Sequence, residues 1–163
     1  MEGYKIIEKA YKEGKVKSIG ISNFYEKDLE RILTQTEIKP QVIQVERHPY
    51  YTGKDINDIL KEYDVKVMGW YPLGHGDKNL LNEPIFKELS EKYNKSVVQI
   101  ILRWHVQMGF ILIPGSKNVD HIRDNMNIFD FEISDDDMLK ISILDREKKY
   151  MELNSYEICC FKF

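Results

Sequence analysis

The chain has 163 residues, of which 42% are hydrophobic and 31% charged, with a formal net charge of −3. That mix is a soluble globular domain with a real core, one that buries roughly 68–70% of the surface its unfolded chain exposes, and excludes a disordered or fibrous chain. The slight acidity argues against nucleic acid as the main partner, and no apolar run approaches the ~20 residues needed to span a bilayer.

In chain order, residues 1–14 predict a helix, with Tyr4, Ile7, Ala10 and Tyr11 at helical spacing and Gly14 as its stop. Strands are expected at 16–21, 42–47, 65–70 and 110–113. Helices are expected at 25–34, 55–63, within 80–93, and at 96–107. A helix opens at 119–125, and the last covers 134–144 with Ser134 as its N-cap before three aspartates. Strands separated by helices imply βαβ units and a parallel sheet of four strands. The reading is a single domain over 1–163, with core units over 1–145 and a tail over 146–163 that wraps or hangs loose. The two cysteines, Cys159 and Cys160, are adjacent and poorly placed to close a loop, so neither a disulfide framework nor a metal site is expected. With a charged, helical N-terminus in place of a secretory signal, the expected compartment is a reducing cytoplasm.

Two strands alternate rather than reading as continuous apolar runs. Ile19 and Ile21 oppose Ser18, Gly20 and Ser22, while Ile43 and Val45 oppose Gln44, Glu46 and His48. Polar groups therefore gather toward strand C-termini, where ligands bind in parallel α/β folds, unless that face is simply solvated. Ser22 and Asn23 offer a hydroxyl and an amide. They suit a carboxamide, or else cap the following helix.

Trp70 and Tyr71 precede Pro72 and two glycines, Gly74 and Gly76, forming an aromatic platform beside a tight loop. Trp70 either stacks on a planar ring or packs between sheet and helix. Residues 113–118 run from a strand through small residues into a helix start, where free N–H groups and Lys117 favour an anion. His121 and Asn125 share a helix face there. Glu46 points inward, which suits a polar network better than a catalytic role. His48 and His75 are possible acid–base groups, although a lone histidine is more often a satisfied partner.

These segments resemble the aldo-keto reductase family in order and spacing. GKVKSIGISNF (14–24) is similar to the family's fifth barrel strand and loop, VIQVERHPY (42–50) to the sixth, and VMGWYPLGHGD (67–77) to the seventh. ILRWHVQMGFILIPGSK (101–117) is similar to a helix and the eighth strand, and HIRDNMNIFDFEIS (121–134) to the final helix entry and the stretch after it. The resemblance implies an α/β half-barrel of about four parallel strands, corresponding to the C-terminal half of a (β/α)8 barrel. It also implies NADP(H) bound across the strand C-termini, with NAD less favoured. It places Ser22, Asn23 and Gln44 on the nicotinamide carboxamide. Trp70, with Tyr71 beside it, falls at the stacking aromatic, and Leu73 and Gly74 at the pyrophosphate. Ser116, Lys117, His121 and Asn125 fall at the adenosine 2′-phosphate and adenine.

Two local departures stand out. Ile43 replaces an Asn common in the family, and His121 replaces an Arg common toward the 2′-phosphate, which a neutral imidazole cannot match. The larger departure is that the family's Asp, Tyr, Lys and His catalytic tetrad has no counterpart, since one helix alone precedes the segment resembling the fifth strand. Tyr50, Tyr71 and His48 are not its equivalents. The expectation is an oxidoreductase half, truncated and inactive by itself. It would act on a carbonyl substrate if complemented, or else serve as a non-catalytic nucleotide- or partner-binding module. Four strands leave sheet edges open, so a homodimer or a complementing half-barrel chain is the expected assembly.

Overall fold

The computed structural model describes residues 1–151; Cys159, Cys160 and the end of the expected tail lie outside the described residues. Four parallel strands form one sheet in the order β1-β2-β3-β4: β1 (Gly20–Ser22), β2 (Val42–Glu46), β3 (Lys66–Trp70) and β4 (Ile111–Leu112). Sequence order equals spatial order, as expected when each strand is followed by a crossover helix. The chain divides into two compact units. One comprises Met1–Val45 and Gly53–Met68, the other Glu46–Thr52 and Gly69–Met151.

In the first unit, α1 (Glu2–Lys12) ends at Glu13, and Gly14 takes φ +71°, the left-handed turn the sequence expects of a helix stop. α1 buries Tyr4 but leaves Ile7 exposed, so only part of its apolar stripe is used. Tyr4 donates its hydroxyl to the Ile38 carbonyl at 2.8 Å. Burial, with the nearby Glu8, pushes this phenol up to about 12. α2 (Glu26–Gln35) buries Leu29, Ile32 and Leu33, and α3 (Lys54–Leu60) follows β2.

The first strand is shorter than the expected 16–21. Residues 16–18 are exposed, and the Ile19 amide donates to the Gln41 side chain at 2.7 Å. The Ile19 carbonyl in turn accepts the Gln41 backbone amide at 2.9 Å, and the paired register with β2 runs from Gly20↔Val42. The apolar faces of both strands, Ile19 and Ile21 on β1's side and Ile43 and Val45 on β2's, are buried.

In the second unit, the expected helix within 80–93 is two helices, α4 (Lys78–Leu81) and α5 (Pro84–Tyr93). Pro84 has no N–H to continue a helix but its fixed φ suits a first helical position, so it breaks one helix and starts the next. α6 (Val97–Gln107) opens on a capping box: Ser96 Oγ accepts from the Gln99 amide and the Gln99 side chain accepts from the Ser96 amide. β4 starts one residue later than expected because the Phe110 amide is bound to the His105 carbonyl, closing the end of α6. α7 (Val119–Met126) buries no residue, and α8 (Asp135–Ser142) has Ser134 as N-cap, as the sequence predicts. The core gathers Tyr50, Leu80, Phe86, Leu89, Ile100, Ile101, Trp104, Ile133 and Ile141. No helix among the described residues is long and apolar enough to cross a membrane.

Candidate functional site

Ser22, Asn23 and Gln44 lie in the first unit. Ser22 ends β1 and is in register with Gln44 on β2, and the Asn23 amide donates to the Gln44 carbonyl at 2.9 Å. All three are half-buried. Asn23 is left-handed at φ 57°, a conformation its short amide tolerates better than most side chains. The N-cap position of α2 is held by Tyr25 rather than by Ser22 or Asn23. A hydroxyl and two carboxamides are thereby gathered where β1 ends, a set with the donors and acceptors to hold another carboxamide.

The other candidates lie in the second unit. At the end of β3, Trp70 and Tyr71 meet edge-on with ring centroids 4.5 Å apart, and Tyr71 lies 4.5 Å from the His75 ring at 33°. The following turn is tight. The amides of Gly74, Gly76 and Asp77 donate to the carbonyls of Tyr71, Leu73 and Gly74. Gly74 is buried at φ +59°, and a Cβ there would come within 2.8 Å of Leu80 Cδ2 and 2.9 Å of Tyr150 Cε2, so only glycine fits.

A cavity of about 240 Å³ brings together Leu73, Ser116, His121 and Asn125, four residues that the sequence nominates from two separate segments. It adds Ser96, Val98, Gly115 and Asp124, which the sequence analysis does not single out as binding residues. Gly115 belongs to the small-residue run of 113–118, Ser96 is fixed by its capping box, and Asp124 is at helical spacing from His121. Lys117 is exposed and is not among the residues lining this cavity, so any charge it contributes acts from outside. Ser116 Oγ accepts from the Asn118 amide, and Asn118 Oδ1 accepts from the Asp120 amide, capping α7 beside the cavity. Arg123 is turned to Asp120 at 3.4 Å. Polar groups and the start of an eight-residue helix around a pocket with an apolar wall suit a nucleotide whose base is buried and whose phosphate lies near the N–H groups.

His48 is fully buried, with Nε2 2.8 Å from Glu46 Oε1. The inward carboxylate therefore sits in a polar network, as the alternation in β2 implies, and the imidazole has no open path to a substrate. His105 is buried as well, and burial drives its pKa down to about 3 against the opposing pull of the Pro72 carbonyl. Nothing local marks Tyr150, yet its hydroxyl donates to Asp77 and its amide to Glu46, both at 2.6 Å.

Four parallel strands joined by helices define an α/β protein. The chain belongs to the Aldo/keto reductase family, whose profile matches residues 1–146. It is 43% identical over 146 residues to the glyoxal reductase of Bacillus subtilis (strain 168), covering 90% of this chain and 52% of that protein. Among solved structures it is similar to a Gox0644 mutant in complex with NADPH, at 33% identity and TM-score 0.86, covering 98% of this chain and 57% of that one. It is also similar to the Bombyx mori aldo-keto reductase in complex with NADP, at 27% identity and TM-score 0.83, covering 93% of this chain and 52% of that one. The chain spans about half the length of the relatives it matches.

Proposed function

We propose that this chain forms the NADP(H)-binding half of an aldo-keto reductase, an oxidoreductase that reduces aldehydes or ketones by hydride transfer. The observation that carries the reading is the single cavity shared by Leu73, Ser116, His121 and Asn125, which suits the adenosine end of the cofactor. The relatives' complexes with NADP and NADPH favour the same cofactor. Ser22, Asn23 and Gln44 then hold the nicotinamide carboxamide, Trp70 lies against the ring with Tyr71 beside it, and Leu73 and Gly74 face the pyrophosphate. Lys117 adds charge from the rim toward the 2′-phosphate. The cofactor supplies the hydride. These residues bind and orient it, and the proton must come from tetrad residues of the portion of the relatives that this chain does not match.

Residues 1–163 should bind NADPH more tightly than NADH in calorimetry, and should not consume NADPH with a test aldehyde. Without a positioned proton donor the reaction loses roughly 10²–10⁴-fold, before any loss of orientation. Adding a polypeptide that carries the tetrad-bearing half of a relative should restore turnover. Absence of binding of either cofactor at millimolar concentration would refute the reading.

A second reading concerns assembly, and the outer end of the sheet favours it. β4 is the last strand in the sheet order. Beside it lies an apolar cavity of about 330 Å³ lined by Phe110, Ile111, Leu112, Pro114, Met126 and Phe129. Ile111 is 40% exposed and Phe129 66%. Among the described residues no strand lies beyond β4, and a strand edge beside apolar side chains is a template for another chain. We propose a homodimer of half-barrels, or a complementing half-barrel, as its occupant. Light scattering over a dilution series should show a dimer that dissociates on dilution, whereas a monomer at every concentration would refute self-pairing.

A further inference from the structure

The described helices differ in how much apolar surface they bury. α2 buries Leu29, Ile32 and Leu33, and α6 buries Ile100, Ile101, Leu102 and Trp104. α1 buries Tyr4 alone, and α7 buries nothing. Their place in the chain accounts for this. A crossover helix packs back over the strands it joins. α1 leads into β1 and α7 follows β4, and β1 and β4 are the first and last strands of the sheet order. Among the described residues each of these two helices therefore adjoins a strand in one direction of the chain only.

The open surface is patterned in both helices. On α1, in the first unit, Ile6 and Ile7 are exposed, with Ala10 and Tyr11 one turn further along the same side. Glu2, also exposed, stands one turn before Ile6. On α7, in the second unit, Val119, Ile122 and Met126 form an apolar stripe at i, i+3 and i+7, and all three are exposed. Arg123 lies one turn from both Val119 and Met126. It meets Asp120 at 3.4 Å in an exposed pair of the kind that holds little, so it can be drawn to another carboxylate. One apolar stripe is thus edged by a carboxylate and the other by a guanidinium. Like on like would set Glu2 against Glu2, or Arg123 against Arg123, whereas α1 on α7 brings opposite charges together.

We infer that α1 of one copy packs on α7 of a second copy, so that a two-fold dimer is held by two α1–α7 contacts as well as by its strand edges. This rests on the reading that the end of the sheet takes a second copy of this chain. A two-fold axis running along the strands lays β1 of each copy beside β4 of the other, in the parallel sense of the sheet. Stable interfaces engage about 20–30 residues a side. α1 has 11 residues and α7 has 8, so neither helix suffices alone. The two-fold engages both helices and both edge strands of each copy. It also leaves no end over, so assembly stops at two copies and does not run on into a filament.

The test uses residues 1–163 with Ile6→Glu and with Ile122→Lys, separately and mixed, in sedimentation across a dilution series. Ile6 is 71% exposed and Ile122 47%, so neither change opens the core. Either substitution alone puts an unpaired charge at both α1–α7 contacts. At a cost of about tenfold each, the dimer Kd should rise about a hundredfold. In an equal mixture, one copy of each variant makes one unaltered contact and one in which the glutamate faces the lysine. The mixed dimer should return to within about tenfold of wild type, a recovery that misfolded variants could not give. Wild type that is monomeric at every concentration overturns both this contact and the self-pairing it rests on. A wild-type dimer that tolerates either single substitution overturns the helix contact and leaves the strand-edge reading standing. Loss in both variants without recovery in the mixture overturns the pairing of α1 with α7, and a mass that keeps growing past two copies overturns the two-fold.

Discussion

His121→Arg should shift cofactor preference toward NADPH. His121 is exposed on the wall of the cavity that it shares with Leu73, Ser116 and Asn125. An arginine there can reach a 2′-phosphate with a two-pronged, charge-assisted contact of about 1.5–3 kcal/mol when shielded from water. The position is exposed, so the value expected is nearer that of a surface pair, about 1 kcal/mol or less. Asp124 also lines the cavity, three residues along the same helix, and would compete for the new guanidinium by about 0.2–0.5 kcal/mol. The net gain is at most about 0.5–0.8 kcal/mol, roughly a two- to fourfold fall in Kd for NADPH, while NADH, which lacks the phosphate, stays unchanged. Adding Asp124→Asn should recover the competing fraction. Calorimetry with both cofactors at low salt measures this, and the gain should shrink as salt screens the pair. Equal changes for NADPH and NADH, with or without Asp124→Asn, would mean that no 2′-phosphate lies at this wall.

Three further outcomes are expected. Asp137 is 1% exposed and takes Lys92 at 2.6 Å and the Tyr93 hydroxyl at 2.7 Å. The Lys92 bond above all, then those from Tyr93, Lys140 and Ser134, holds its carboxyl well below the usual range in spite of burial. Because the folded pKa is depressed, the stability this group contributes is complete above the unfolded carboxylate range and is lost as pH falls from about 4. Asp137→Asn should therefore cost about 2 kcal/mol at pH 7, roughly 4–8 °C in Tm, with the gap to wild type closing below about pH 4; a gap independent of pH would refute the ionic account. Gly74→Ala should cost at least about 1–2 kcal/mol from its left-handed backbone alone, and more from contact with Leu80 and Tyr150, as read by thermal unfolding; no loss would show that the turn relaxes freely. Phe129→Lys should weaken self-association at the β4 edge and leave NADPH affinity unchanged, which sedimentation and calorimetry on one preparation would check together.

Much of the architecture is determined within a few residues of chain and so is legible in the sequence. The alternation of Ile19, Ile21, Ile43 and Val45 with polar neighbours separates an apolar face from a polar one, because a strand's side chains repeat every two residues. Ser134 caps α8, because an unpaired amide of a helix's first turn is met by a side chain close in sequence. The approach of Leu73 to Ser116, His121 and Asn125 was legible only through a resemblance, since no local rule joins residues some forty positions apart. Tertiary structure alone decided the rest. The Gln41 side chain takes the Ile19 amide just before β1 begins. His48, open to an acid–base reading on residue type, is sealed against Glu46. Tyr150 reaches Asp77 and Glu46 across separations of 73 and 104 residues. Periodicity and capping act over one turn or one pleat, whereas these contacts depend on where packed elements bring distant backbone and side chains, and that is set by the burial of the whole core.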